Sequence, residues 1–553
     1  MGIKLKQQTG TQLTLSLWDS CPTILHRAGL AGLWMVLRSL SSRNGEVISW
    51  NISPEADAIA LQWNCTDQEA MTWLLSQAYQ HNAEKGIIQI PALCDNLEPG
   101  DVFTIHQGIT SVFYLQPKVI KSRGKQTVAL EIDEKTLEVT YKALEYYPHQ
   151  DLRSLKTYTS KGAFKPHIPI VSWVYPGAKE LHVALGGKTK IEEIPQGLIA
   201  LAFAPIACSY YRVKSRLKQS KYLWALIIPD VENIDKFAQN RQRLGCEIVG
   251  YDHYYASGLS DASLRYLTAI AGAKTAEAQA VKECEVWVFG KVPWSDQTPI
   301  ADKKRVALSP EIRRQYALCE NNLPNGVKVG KNGTFISICF GREIAAENLV
   351  EGKPWYANLH RILALSTEYI DQLNLERSQL HNMKEATIEQ GTIKPNATLF
   401  SDVFAWIIRG LYIQVGSSTV TGKKPNFERV RTNLQMSIRS VKTQQQFTRW
   451  WTQLLSNPAC RSNPFLQGVA LGEFNQWVRD NWEECLSLAA LAIIAYKSPW
   501  KVERTRQILL AKGLEMPHKE EELEEAIVKE STEIEDSEST EGFALDNEDD
   551  EPC

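Results

Sequence analysis

The residues of this chain whose types and spacing suit chemistry are cations interleaved with aromatics. In SYYRVKSRLKQSKYLW (209–224), Arg212, Lys214, Arg216 and Lys218 fall on every second position. An extended backbone therefore puts all four on one face, a stripe suited to tracking successive phosphates. Tyr210, Tyr211 and Tyr222 lie close enough in sequence to stack bases. A second group, PKVIKSRGK (117–125), gathers Lys118, Lys121, Arg123 and Lys125 with Gly124 between two strand candidates, as in a hairpin loop. Its cations and backbone N–H groups suit phosphate equally well. The third, GVKVGKNG (326–333), offers Lys328, Lys331 and Asn332 on a glycine-punctuated loop, which could approach a groove closely or be a plain β-turn. A fourth lies further on, where Lys423, Lys424, Arg429, Arg431, Arg439, Lys442 and Arg449 make a helical stretch basic. Trp450 and Trp451 at its end read as core. For each group the plain alternative is a solvated, lysine-rich surface.

Signals for catalysis are absent from the sequence. Gly186-Gly187-Lys188-Thr189 has the end of a phosphate-binding loop, but the required earlier glycine position is His182, so a surface turn is the better reading. The ten histidines are dispersed, with no H-E-x-x-H and no histidine pair beside paired cysteines. No G-x-S-x-G elbow occurs. No cofactor or metal is expected.

The elements that must position these cations change character along the chain. Residues 1–350 mix strand and helix signals. TQLTLSLW (11–18) and AIALQW (58–63) alternate apolar and polar residues, the period of a half-buried strand. Thr66-Asp67-Gln68-Glu69 is a capping box that opens a helix to about Ala83. Further strand-like runs are 111–116, 127–132, 181–186, 198–203, 223–228, 285–290 and 334–340, with helical patterns around 231–243 and 261–282. This region is α+β, a mixed α/β body with more than one sheet.

From 351 to 514 the strand signals give way to an all-α helical bundle. Leu399, Phe400, Val403, Phe404, Ile407, Ile408, Leu411, Tyr412 and Val415 form one apolar stripe at helical spacing. Phe427–Leu455 reads as one long helix, and 464–496 as two helices around a break near Gly472.

The tail, 515–553, holds 17 Asp+Glu against 2 Lys and is expected to be disordered. The whole chain has 61 Lys+Arg and 64 Asp+Glu, so residues 1–514 carry 59 and 47, a net charge of +12. A basic body has the electrostatics of a polyanion binder, and the tail could compete for it as an intramolecular mimic. The eleven cysteines show no C-x2-C spacing, and their odd number argues against a disulfide framework. No apolar run is long enough to span a bilayer and no signal peptide is evident, so a reducing, cytoplasmic setting without membrane contact is expected.

TILHRAGLAGLWM, from Thr23 to Met35, is the most specific stretch. It resembles the start of the large subunit of type I CRISPR Cascade effectors, in particular the Myxan-type group, and similar subunits occur in type I-B systems carried by guide-directed transposons. The resemblance implies a non-catalytic DNA-recognition subunit. Such a subunit recognises the short duplex motif beside the target, promotes duplex opening and holds the displaced strand, while base pairing with guide RNA supplies sequence. It further implies a C-terminal bundle like the Cascade small subunit. The implied partners are guide RNA, double-stranded target DNA and its displaced strand, and Cascade backbone and guide-processing subunits. In transposon-borne systems, target-selector proteins join them.

No motif-reading residue transfers from the family by position, so the candidates remain the cations named above. His26 and Arg27, in the first turn of the opening helix, could meet the guide's phosphates or be paired structurally. Two rivals stand beside this reading: a metal-dependent nuclease with sequence-dispersed carboxylates, and a scaffold that binds only protein.

Overall fold

The computed structural model describes residues 10–513, apart from 95–96, 115–119, 133, 151–154, 171–172, 177–191, 216–221, 248–250, 273–279, 290–299, 331–332, 418–426, 458–462 and 498–501. The tail and the 181–186 run lie outside the described residues.

Assembly of the N-terminal region turns on two glycines. The Thr23 hydroxyl accepts from the His26 N–H and starts the helix Ile24–Ser39, which is buried on nearly every side. A Cβ on Gly29 would stand 2.0 Å from the Ala200 carbonyl oxygen, and one on Gly32 2.3 Å from that of Phe203. The helix Pro195–Ala207 therefore crosses with its backbone in direct contact, which a side chain at either glycine would forbid. The sequence reading makes 198–203 a strand, and this is corrected: Pro195 occupies the first helical turn, where its missing N–H costs nothing, and alanines favour helix. Burial from Gly197 to Ala207 leaves no polar face, so the run shows no helical period.

Around this helix pair stand two antiparallel-paired sheets. Thr11–Ser16, Ala58–Trp63 and Ile48–Ile52 form one, with the alternation expected for the first two. The other has five strands in the order Tyr255–Ala256, Ser209–Val213, Leu223–Val231, Val281–Phe289, Ile300–Ala307, only the first pair being parallel. The Thr66/Glu69 capping box forms as expected and opens the helix Asp67–Ala78. Residues 111–112 end the helix Pro99–Val112, correcting the strand expected at 111–116. Gly108 in that helix lets the Tyr210 ring come within 2.2 Å of where a Cβ would stand.

Beyond 350 the described elements are helical, from Leu359–Leu365 to Glu503–Ala511. The predicted stripe forms the buried face of Pro395–Ser417, with Phe400, Val403, Phe404, Ile407 and Ile408 in the core. The long helix expected over 427–455 is two, Phe427–Ser440 and Gln444–Leu455, because the Thr443 side chain accepts from the Gln446 N–H and caps a new start. The later break falls at Asn481, between Leu471–Asp480 and Trp482–Ile494, and Gly472 sits inside the first of these.

One apolar cluster runs through both regions, from Leu15 to Leu509. Glu376 stitches them together: its carboxylate accepts from the Phe340 and Gly341 N–H groups, each at 2.7 Å, at the start of the helix Phe340–Val350. Among the described cysteines, 21, 208, 284, 319, 339 and 485 are free and buried, as small hydrophobes should be. Cys94 departs from the expectation and is disulfide-bonded.

Candidate nucleic-acid interface

Alternation along Ser209–Val213 puts Arg212 beside Lys214 on one face, as predicted, but that face is partly covered. The Arg212 guanidinium lies 5.3 Å from the Trp224 ring centroid and 5.8 Å from those of Tyr222 and Tyr255. Lys214 Nζ is 5.3 Å from the Tyr222 centroid. Arg216 and Lys218 lie outside the described residues. Tyr210 and Tyr211 are core residues, correcting their reading as stacking platforms: the Tyr210 hydroxyl donates to the Pro205 carbonyl, and Tyr211 packs on Tyr254 and His253. Tyr222 and Trp224 remain half-exposed.

Lys121, Arg123 and Lys125 sit in a strand, correcting the loop expected there. Lys121–Ile132 pairs with Lys135–Tyr146 in a two-stranded ribbon, Ile132 facing Lys135 at its turn end. Pairing persists to Lys121 because the second strand runs on to Tyr146. Gly124, at φ +99°, absorbs a bulge that shifts the register. Lys121 pairs with Glu145 at 2.7 Å, and Arg123 Nη1 donates to the Ala83 carbonyl at 2.6 Å. Lys125 stands directly opposite Lys142, and neither has a carboxylate partner among the described residues. Like charges facing each other across a ladder repel, so this end of the ribbon favours an incoming anion. Lys118 lies outside the described residues.

The glycine-punctuated segment is also a hairpin, Gly326–Gly330 with Gly333–Ser337. Lys328 is exposed on it, while Lys331 and Asn332 fall outside the described residues. Val327 and Ile336 join Leu130, Ile132, Leu137 and Val139 of the ribbon in a second apolar cluster. Lys135 Nζ donates to the Val327 carbonyl at 2.6 Å, and the Tyr222 hydroxyl to that of Ile336 at 3.2 Å. The turn end of the ribbon, this hairpin and the Arg212 aromatic cage are thus contiguous. Lys125 lies seven residues from Ile132, about 23 Å along the ribbon at the usual strand rise.

On the helix Phe427–Ser440, Arg439 Nε and Nη2 are buried without a hydrogen-bond partner among the described residues, and Arg431 is half-exposed. Lys423 and Lys424 lie outside the described residues. Trp450 and Trp451 are core, against Phe404 and Phe400.

The opening helix directs the two polar side chains of its first turn inward. His26 Nδ1 is 2.7 Å from the Thr23 hydroxyl and Nε2 is 3.2 Å from Glu193. Arg27 donates twice to Asp230, at 2.9 and 2.6 Å. Both are engaged within the protein, the structural alternative of the sequence reading.

Sequence reasoning had no signal for Lys142 or for the buried ion cluster behind the cage. There Arg342 donates to Asp261 at 2.7 Å and to Glu320 at 3.1 Å, and the Tyr316 hydroxyl donates to Asp261. Arg342 and Arg265 hold the Asp261 carboxyl below the usual carboxylate range against the opposing effect of burial. Among the described residues no group of three or more His, Cys, Asp or Glu could hold a metal ion. Nor is any helix among them long and apolar enough to cross a membrane.

Comparison with known proteins follows the same outline. Residues 14–202 match the profile of the DevT N-terminal domain. Over 533 residues the chain is 23% identical to the CRISPR-associated protein Cas8a1/Csx13 of Myxococcus xanthus (strain DK1622). The chain is similar to a CRISPR-associated protein. That match covers 89% of this chain and 90% of the relative, so it takes in the helical region as well as the N-terminal one.

Proposed function

We propose that the chain is a non-catalytic, cytoplasmic large subunit of a type I CRISPR guide-RNA complex, of the Myxan or type I-B kind. In this role residues 1–350 contact the duplex motif beside the target and the guide, and the helical region 351–514 holds the displaced strand. Similarity along almost the whole length to a CRISPR-associated protein carries the reading. The net +12 of residues 1–514 supports it, since phosphate contacts need an excess of cations.

Within this reading Lys121, Arg123, Lys125 and Lys142 form the duplex-facing end of the ribbon. Lys328 forms a second contact, with Lys331 and Asn332 close by in sequence, and Arg431 and Arg439 lie on the helix that would face the displaced strand. His26 and Arg27 are left out of the contact set, since Glu193 and Asp230 already hold them. Arg212 serves chiefly to fix the aromatic cage, which Lys214 also joins.

Titration of the purified chain against target duplex at several salt concentrations tests the proposal. Phosphate binding predicts affinity falling steeply with salt, whereas a protein-only scaffold gives no such titration. Co-expression with Cascade backbone subunits and guide RNA should yield a complex that prefers motif-bearing duplex. Cleavage of labelled duplex with Mg²⁺ or Mn²⁺, abolished by a single carboxylate change, would replace this reading with a nuclease.

A further inference from the structure

We infer that the outer face of the ribbon enters the major groove of the target duplex, with Lys125 and Lys142 on phosphates and Thr127 and Thr140 at base edges. The inference rests on the nucleic-acid reading above and goes further, to the groove and the residues that read it.

The ribbon has one dry face and one wet one. Val128, Leu130, Leu137, Val139 and Tyr141 point into the apolar cluster beneath, so the residues that alternate with them point out. From the open end towards the turn, the outward rungs are Lys125–Lys142, Thr127–Thr140, Ala129–Glu138 and Glu131–Thr136. All are exposed except Lys142, which is half-exposed.

Buried side chains of the helix Pro99–Val112 fix the first two rungs. Gln107 Nε2 donates to the Thr140 carbonyl at 2.6 Å, and its Oε1 accepts from the Tyr251 hydroxyl. His106 Nδ1 accepts from the Ile88 N–H, so its Nε2–H donates to the Lys142 carbonyl at 2.8 Å. A residue's N–H and C=O leave an antiparallel strand on the same side. Thr140 and Lys142 direct theirs at this helix and not at the partner strand. Their rungs are therefore the non-hydrogen-bonded kind, with Cα atoms about 4.5 Å apart. This narrow spacing brings the Thr127 and Thr140 hydroxyls to 3.3 Å and sets the two lysines as close as a ladder allows. By the same rule the Lys125 and Thr127 N–H groups point out of the opposite edge, along which no strand pairs among the described residues. They are further donors for phosphate.

Dimensions decide the groove. Two strands about 4.8 Å apart, with their side chains, fit the major groove, about 12 Å wide, and not the minor, about 6 Å. Alternate residues along a strand are about 7 Å apart, close to the major-groove depth of about 8.5 Å. Lysines on a phosphate backbone thus bring the threonine hydroxyls, which donate and accept, to the base edges. On the next rung Ala129 offers a methyl group to thymine, and Glu138 an acceptor to the cytosine amino group. The order cation, hydroxyl, carboxylate follows the groove from its negative wall to the donors on its floor.

The test incubates the full chain at low salt with short DNA duplexes carrying a randomised block of base pairs, and sequences the bound fraction. Thr127→Val with Thr140→Val keeps the side-chain shape and strand preference but removes both hydroxyls. It should lower enrichment of the preferred sequence about tenfold, with affinity for unselected duplex and its salt slope unchanged. Lys125→Ala with Lys142→Ala should do the reverse, weakening all duplexes alike. Circular dichroism checks that both variants are folded. Base analogues in the preferred duplex test the groove without any substitution. Purines lacking the major-groove N7 should weaken binding, and inosine for guanine, which lacks only the minor-groove amino group, should not. Enrichment unchanged in the folded threonine variant, or a loss caused by inosine and not by the N7 analogues, would overturn the inference. An unaltered chain that binds duplex without preferring any sequence would also overturn it, and would leave the nucleic-acid reading standing. A chain that binds no duplex would overturn both.

Discussion

Charge is handled in opposite ways behind the Arg212 cage and at the open end of the ribbon. Behind the cage Arg342, Asp261 and Arg265 are brought out of water and pair with one another, Glu320 joins them from a partly exposed position, and Arg212 itself lies on aromatic faces. At the ribbon's end Lys125, exposed, and Lys142, half-exposed, face each other with no counterion among the described residues. One arrangement has its electrostatic energy already collected within the fold. The other is left for an outside anion to collect. Sequence counts the same residue types in both places, and only the surroundings tell a structural cation from a binding one.

The comparison breaks most sharply at Arg342. Arg342→Met should leave Asp261 buried with its closest cation gone and cost about 3–5 kcal/mol, read by urea denaturation. Asp261, held low, contributes stability that is present above the ordinary aspartate range and lost as pH falls through its depressed pKa.

A buried carboxyl whose nearby cation, Arg241, does not outweigh burial gives the opposite pH response. Burial raises Asp101 from 3.8 to about 6, its Oδ1 accepts from the Tyr254 hydroxyl, and its Oδ2 has no partner among the described residues. Its folded pKa lies above the unfolded one, so its contribution is fully present below about pH 4 and lost as pH rises through about 6. Asp101→Asn should therefore raise the Tm at pH 8, by the equivalent of about 1–2 kcal/mol. The difference should close towards pH 4, as followed by thermal melts across that range.

Smaller effects sharpen the binding side. Arg212→Ala should lower stability by about 1–2 kcal/mol, the loss of a cation from aromatic faces. Lys125→Ala with Lys142→Ala should leave stability unchanged or slightly higher, since a like-charge pair is relieved. The same double change should weaken nucleic-acid binding and reduce the salt slope by about 2, measured by anisotropy. Lys121→Ala, at an exposed pair with Glu145, should shift stability by no more than about 0.5 kcal/mol.

Legibility followed the degree of burial. Half-buried elements declared themselves: the alternation at 11–16 and 58–63, the capping box at Thr66, and the stripe from Phe400 to Ile408 all have one wet face. Fully buried 198–203 was misread, because with no wet face the apolar period vanishes. The candidate interface was legible as composition and misassigned as geometry. Lys121–Lys125 reads as a loop because the strand that pairs with it begins ten residues after Lys125, beyond the reach of a local pattern.

The sequence by itself determined the charge asymmetry, the change from mixed to helical character near residue 350, and two glycines where a helix should not want them. Their reason is tertiary: the backbone of Pro195–Ala207 occupies the space where Cβ atoms would stand. Tertiary structure alone decided which cations are engaged, closing Asp230 on Arg27 and aromatic rings on Arg212 while leaving Lys125 and Lys142 open. The physical reason is range. Propensity and period act over a few residues, whereas the fate of a charge depends on groups that folding brings together from hundreds of residues away.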